Sequence, residues 1–148
     1  MLIKQVSIFV ENKPGKISDV IDLLGTNNID IIALSIADTT DYGILRLIVD
    51  KPSLCQQIVK KENFIVKITD VIAIKIDNKP GSLMNALHVL KNEDIQIDYM
   101  YAFVGTKGDN ARVMLKVSDP FKALDILNKM LGLFPLWRGE TLVFPFLL

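Results

Sequence analysis

The tetrapeptide Asn-Lys-Pro-Gly occurs twice, at Asn12 to Gly15 and again at Asn78 to Gly81, 66 residues further on. Each copy stands between an alternating apolar run and an amphipathic one, where a strand should turn into a helix. The first N–H groups of a helix have no partner within it and carry partial positive charge. A glycine there lets a ligand approach the backbone, because no Cβ intervenes. A small carboxylate fits such a place. Asn12 or Asn78 adds an amide donor and an acceptor just before the turn. Asp30 and Gln96 open the second strand after each turn, on an edge where another unit would pair, and Asp30 could accept from an ammonium group there. A carboxylate clamp with an ammonium acceptor describes an α-amino acid. The competing reading is a purely structural turn, since Asn, Pro and Gly favour turns whatever they bind.

The elements that hold these corners also repeat. Val6, Ile8 and Val10 alternate as a strand, and Ile72, Ile74 and Ile76 match them. Ile17, Val20, Ile21 and Leu24 recur at helical spacing, matched by Leu83, Ala86, Leu87 and Leu90. "NNIDI" at 27–31 is answered by "EDIQI" at 93–97. Leu45, Leu47 and Val49 answer to Val113, Leu115 and Val117, displaced by two extra residues in the loop "GTKGDN". Pro52 and Pro120 each suit the first turn of a second helix. Phe64, Val66 and Ile68 close the first unit with a fourth strand. The expected fold is α+β: two tandem ferredoxin-like βαββαβ units, antiparallel sheets with both helices of a unit on one face. The strand order within a unit is 4-1-3-2. Unit one spans 1–69. Unit two spans 70–148 and carries an extra C-terminal strand in "ETLVFPFLL" at 140–148, which Pro145 restricts to a sheet edge or bulge.

The two signature stretches, "VENKPGKISDVIDLLGTNNIDIIAL" and "IDNKPGSLMNALHVLKNEDIQIDYMYAF", resemble the ACT domain family, and the resemblance runs nearly end to end as a tandem. That resemblance implies a regulatory, amino-acid-sensing role. It also implies a ligand held between the strand-one/helix-one loop of one unit and the start of strand two of a neighbour. Carried onto this chain, the binding residues are Asn12, Gly15 and Ile17 with Asp30, and Asn78, Gly81 and Leu83 with Gln96. Val10 and Ile76 stand where some amino-acid-sensing members have a polar residue, which leaves the identity of the ligand open. The alternative is a ligand-free interaction or oligomerisation module.

Composition narrows the field further. Seventeen basic and seventeen acidic residues cancel, and half the chain is apolar. A neutral chain lacks the electrostatic footprint of a nucleic-acid binder. Its strand-three segments "ILRLIVD" and "RVMLKVS" also lack the aromatics of RNA-recognition sheets. One cysteine, Cys55, excludes an internal disulfide and a cysteine-pair metal site, and it reads as core filler. His88, the lone histidine, falls off the Leu83-Leu87-Leu90 stripe and reads as solvated. No catalytic residues, metal or cofactor are expected, and no membrane span, so the expected setting is cytoplasmic.

Two features concern assembly. "NFIVKITDVIAIKI" at 63–76 alternates with almost no linker between the units. If the two strands numbered two paired within one chain, too few residues would join the far strands, so a homodimer is expected to supply the pairing edge, the alternative being an exchange of strands between the units. The sheet face opposite the helices, with Tyr99, Tyr101, Phe103 and Met114 in unit two and Phe9, Ile44 and Ile48 in unit one, is more apolar than a solvated face needs. It points to contact between sheets or chains.

Overall fold

A computed structural model describes residues 1–38, 41–104 and 110–131. Most of the loop at 105–110 and the strand expected over 140–148 lie outside the described residues. The elements run β1 (Leu2–Glu11), α1 (Lys16–Thr26), β2 (Ile31–Asp38), β3 (Tyr42–Val49), α2 (Pro52–Lys61), β4 (Ile65–Asp77), α3 (Ser82–Asn92), β5 (Ile97–Val104), β6 (Asn110–Val117) and α4 (Pro120–Leu131). The helices and strands predicted within the described residues are present, and Pro52 sits in the first turn of α2 as its fixed φ favours.

The units are not two sheets laid side by side. They share one strand. The first half of β4, Ile65 to Ile72, pairs antiparallel with Leu2 to Phe9 of β1. Its second half, Ile72 to Asp77, pairs antiparallel with Asn110 to Leu115 of β6. The unbroken alternation from Phe64 to Ile76 is therefore a single 13-residue strand, the last strand of unit one and the first of unit two. The sheet order is β2-β3-β1-β4-β6-β5. Unit one keeps the expected 4-1-3-2 order, and β2 and β5 lie at opposite margins, so the two do not pair within the chain.

Strand period two explains where the cores sit. Val66 and Ile68 of β4 pack with Val6, Ile8, Leu45, Leu47 and the buried residues of α1 and α2. Ile72, Ile74 and Ile76 of the same strand pack with Val113, Leu115, Ala86, Leu90 and α4. All five positions share one parity, so the four helices cover one face of a continuous sheet. Asp70 falls between the two apolar sets and pairs with Lys4 at 2.7 Å, which marks the seam between the cores.

The other face closes on itself. Ile3, Ala33, Ile48, Val71 and Met114 are buried there without any helix, packed with Tyr101 and Phe103. Gln5 on β1 is wholly buried. Its Nε2 donates to Ser7 Oγ at 2.9 Å and to the Tyr99 hydroxyl at 2.7 Å, while the Tyr101 hydroxyl donates to Gln5 Oε1 at 3.0 Å. The Arg46 guanidinium of β3 lies 4.0 Å from the centre of the Tyr99 ring. Strands β3 and β5 are four spacings apart, about 19 Å on a flat sheet. The contact requires strong curling, which brings the helix-free faces of the two units together. Most of the apolar excess expected on that face is thus absorbed within the chain, although Phe9 stays 38% exposed.

Cys55 is fully buried in the first core, and burial raises its thiol pKa to about 11. The native thiol should resist labelling by a thiol reagent at pH 8, reacting only as fast as the chain unfolds. A rapid stoichiometric reaction in buffer would show the site open. Between pH 9, the ordinary thiol value, and about 11 the unfolded chain holds fewer protons than the folded one, so stability falls as pH rises through that window.

Candidate functional site

Both Asn-Lys-Pro-Gly corners adopt one conformation. Lys13 N–H donates to Glu11 O (2.8 Å), Lys16 N–H to Lys13 O (3.3 Å) and Asp19 N–H to Gly15 O (2.9 Å). The second corner repeats these bonds with Lys79 to Asp77, Ser82 to Lys79, and Asn85 to Gly81. Gly15 (φ 85°) and Gly81 (φ 89°) cap their helices in the left-handed region, which disfavours a Cβ. Neither helix start carries a side-chain cap. The N–H groups of Ile17 and Ser18, and of Leu83 and Met84 in the copy, have no partner among the described residues. The lysines beside the corners are held by the acids that precede them, Lys13 on Glu11 at 2.7 Å and Lys79 on Asp77 at 3.4 Å. The hydrogen bond and charge of Lys13 hold the Glu11 carboxyl below its ordinary pKa. The corner's positive potential therefore comes mainly from backbone dipoles.

A Cβ on Gly15 or Gly81 would meet no atom within 4 Å. Gly15→Ala and Gly81→Ala should each cost about 1–2 kcal/mol through backbone strain alone. Gly25→Ala, in the helix and equally unobstructed, should instead stabilise by about 0.5–1 kcal/mol. Urea unfolding of the three variants distinguishes these signs, and a neutral Gly15→Ala would contradict the strain.

The strand-two residues occupy the opposite end of each unit. Asp30 N–H donates to Asp50 Oδ1 at 2.9 Å, and Asp50 N–H returns a bond to Asp30 O at 3.2 Å. In the copy, Gln96 N–H donates to Ser118 Oγ at 3.3 Å and Ser118 N–H to Gln96 O at 3.0 Å. The Asp30 carboxylate has no partner among the described residues, whereas Gln96 Nε2 donates to Asp98 at 3.3 Å. Because β1 and β2 run in the same direction, Asp30 is separated from the Asn12 corner by the whole of β2, about 26 Å. The grouping of Asn12, Gly15 and Ile17 with Asp30 is not assembled within one unit, nor is that of Asn78, Gly81 and Leu83 with Gln96.

The margins show what could assemble them. Strand β2 exposes Leu34 (55%) and Ile36 (45%) at an open sheet edge, and β5 exposes Met100 (43%). Large aliphatic groups on an unpaired edge form a template for another strand. Ile17, at the first corner, is also 44% exposed. The sheet-face polar cluster of Gln5, Tyr99 and Tyr101 was not among the sequence candidates. Its signal was the shared parity of two tyrosines and a glutamine on facing units, which has meaning only once strand register is known.

Among the described residues there is no group of His, Cys, Asp and Glu side chains able to hold a metal ion, and no helix is long and apolar enough to cross a membrane. A family model described as an ACT domain pair matches residues 1–131. Among solved structures, protein BT0572 from Bacteroides thetaiotaomicron is 39% identical, with TM-score 0.83, covering 88% of this chain and 89% of that one. The regulatory subunit of aspartate kinase from Thermus thermophilus, in a ligand-free form, shares the fold at 12% identity and TM-score 0.62, covering 85% and 91%. Its counterpart from Thermus flavus does so at 10% identity and TM-score 0.62, covering 88% and 95%. No curated protein matches the chain.

Proposed function

As the chain belongs to the ACT domain pair family, we propose that it is a regulatory protein that binds a free α-amino acid at the Asn12 corner, closed by a second copy. The observation that carries this reading is the pair of helix-start amides behind a left-handed glycine, with no partner and no side-chain cap among the described residues. The fold is shared with regulatory subunits of aspartate kinase. The ligand's carboxylate accepts from the Ile17 and Ser18 N–H groups, and the Asn12 amide orients it.

An antiparallel β2-to-β2 pairing between copies brings Asp30 of the partner subunit to the end where Asn12 stands. The unpaired carboxylate then takes the ammonium group. The second corner, Asn78, Gly81 and Leu83, meets Gln96 of the partner subunit only if β5 pairs likewise. Gln96 brings no charge, so that site is the weaker one. Three or four charge-assisted hydrogen bonds at about 1.5–3 kcal/mol each, less the cost of immobilising a small molecule, leave roughly micromolar to millimolar affinity. A ligand touching both copies binds the paired state better and shifts the equilibrium toward it. The role is therefore sensing rather than catalysis.

A thermal-shift screen of the α-amino acids at millimolar concentration tests the proposal. At least one should raise Tm, and Asn12→Ala and Asp30→Asn should each abolish the rise. Absence of any shift would leave the ligand-free association module, which the exposed aliphatic margins favour, as the better account.

A further inference from the structure

On its helix-free side, unit one sets its residues in rows that cross all four strands. Register puts Ala37, Ile44, Phe9 and Ile65 in one row, and Ser35, Arg46, Ser7 and Lys67 in the next. The core between the units takes Ala33, Ile48 and Ile3 from the rows beyond, and the apolar row stays outside it. Ile65 is 70% exposed and its cross-strand neighbour Phe9 38%. Single exposed apolar residues are ordinary, but a contiguous row marks a contact surface. Stability does not explain this one. In unit two the positions of Phe9 and Ile44 are held by Lys75 and Arg112, paired across strands in the same way, so the fold accepts charge there.

Charge gathers along one rim of the row. Arg46 and Lys67 flank Ser7, each two residues along its strand from Ile44 or Ile65. Neither joins an ion pair among the described residues. Stacking on Tyr99 uses the flat face of the Arg46 guanidinium rather than its N–H edges. The opposite rim carries Tyr42 and Glu11, and Glu11 is held by Lys13 at 2.7 Å. We propose that this shelf docks a protein partner, through a segment that lays an apolar anchor on Phe9, Ile44 and Ile65 and sets acidic side chains against Arg46 and Lys67. A second copy suits it poorly, because Glu11 is the one acid on this face of unit one among the described residues, and it is already paired. Single-stranded RNA suits it less, since Phe9 is the only ring in the row and aliphatic neighbours do not stack bases. The helix-start amides lie on the other face of the sheet, so the inference stands or falls independently of the proposed ligand site.

The probe is a short synthetic peptide in which glutamate alternates with leucine and phenylalanine, titrated into the full ¹⁵N-labelled chain. It should shift the amides of Phe9, Ile65 and Lys67 and saturate below about 1 mM at low salt, weakening as salt is added. Lys67→Glu should weaken it at least ~10-fold, because like charges then meet, and Ile65→Ser should do the same by removing the apolar seat. Both changes fall on exposed side chains, so the fold is kept. The same peptide with lysine for glutamate should leave the three amides unmoved. No shift at these amides, equal binding of the two peptides, or unchanged affinity in both variants would overturn the inference. So would a single-stranded RNA that moves the same amides at lower concentration than the peptide, or a lower native mass for Ile65→Glu by light scattering, which would assign the shelf to a second copy. Movement of the Phe9 and Ile65 amides on Trp137→Ala, without peptide, would overturn it too, by assigning the shelf to residues 132–148.

Discussion

Replacing Gln5 with Leu should destabilise the protein by about 3–5 kcal/mol, more than an ordinary surface-strand substitution, because three buried groups lose a partner together. The Ser7 and Tyr99 hydroxyls accept from Gln5 Nε2, and the Tyr101 hydroxyl donates to its Oε1. Leucine fills the space and serves none of them. Removing the stranded groups should recover much of the loss, since an apolar replacement of both partners is nearly neutral where removal of one is costly. Urea unfolding of Gln5→Leu, alone and combined with Tyr99→Phe and Tyr101→Phe, measures this. A cost under about 1 kcal/mol for the single variant would mean that the curled face is wet and the units are not locked through it. Burial raises the Tyr101 phenol above its ordinary pKa of 10.0. Above pH 10 the unfolded chain ionises it first, so stability falls as pH rises, and Tyr101→Phe should flatten that part of the profile.

Leu24→Ala and Leu90→Ala should each cost about 2–5 kcal/mol. The two leucines are 66 positions apart, wholly buried, and belong to separate helix-face cores. Neither site can collapse easily, because each helix is fixed against a sheet whose strands continue into the other unit. The shared strand β4 makes a further demand. If the units unfold together, each variant lowers one common transition and the double variant sums the two costs within about 0.5 kcal/mol. Calorimetry of the three variants would detect independent units as two separated transitions, with each leucine affecting only one.

Much of this architecture could be read from residue spacing. The matched quartets of Ile17 to Leu24 and Leu83 to Leu90 fixed helices one and three, and the prolines at 52 and 120 marked the starts of two and four. Alternation also exposed the missing linker at 63–76, but not that one strand serves both units. Alternation gives the face of each residue without naming its neighbours. The same limit hid the Gln5 cluster, because strands 94 and 96 residues apart in sequence meet only after curling. The corners were legible because Pro-Gly has a local mechanism. The sequence also placed Asp30 across a seam from the corner, and the structure adds that the two stand a full strand apart within one unit, so the proposed closure depends on association.

The most direct measurement is a titration of the ¹⁵N-labelled protein with individual α-amino acids, following the backbone amides of Ile17 and Ser18. For at least one amino acid these two amides should shift and saturate below about 10 mM, in the range expected for a few charge-assisted bonds. The decarboxylated amine of the same side chain should leave them unmoved. If no α-amino acid moves either amide at that concentration while the protein is paired through β2, the helix-start amides are not a carboxylate receptor and the account fails.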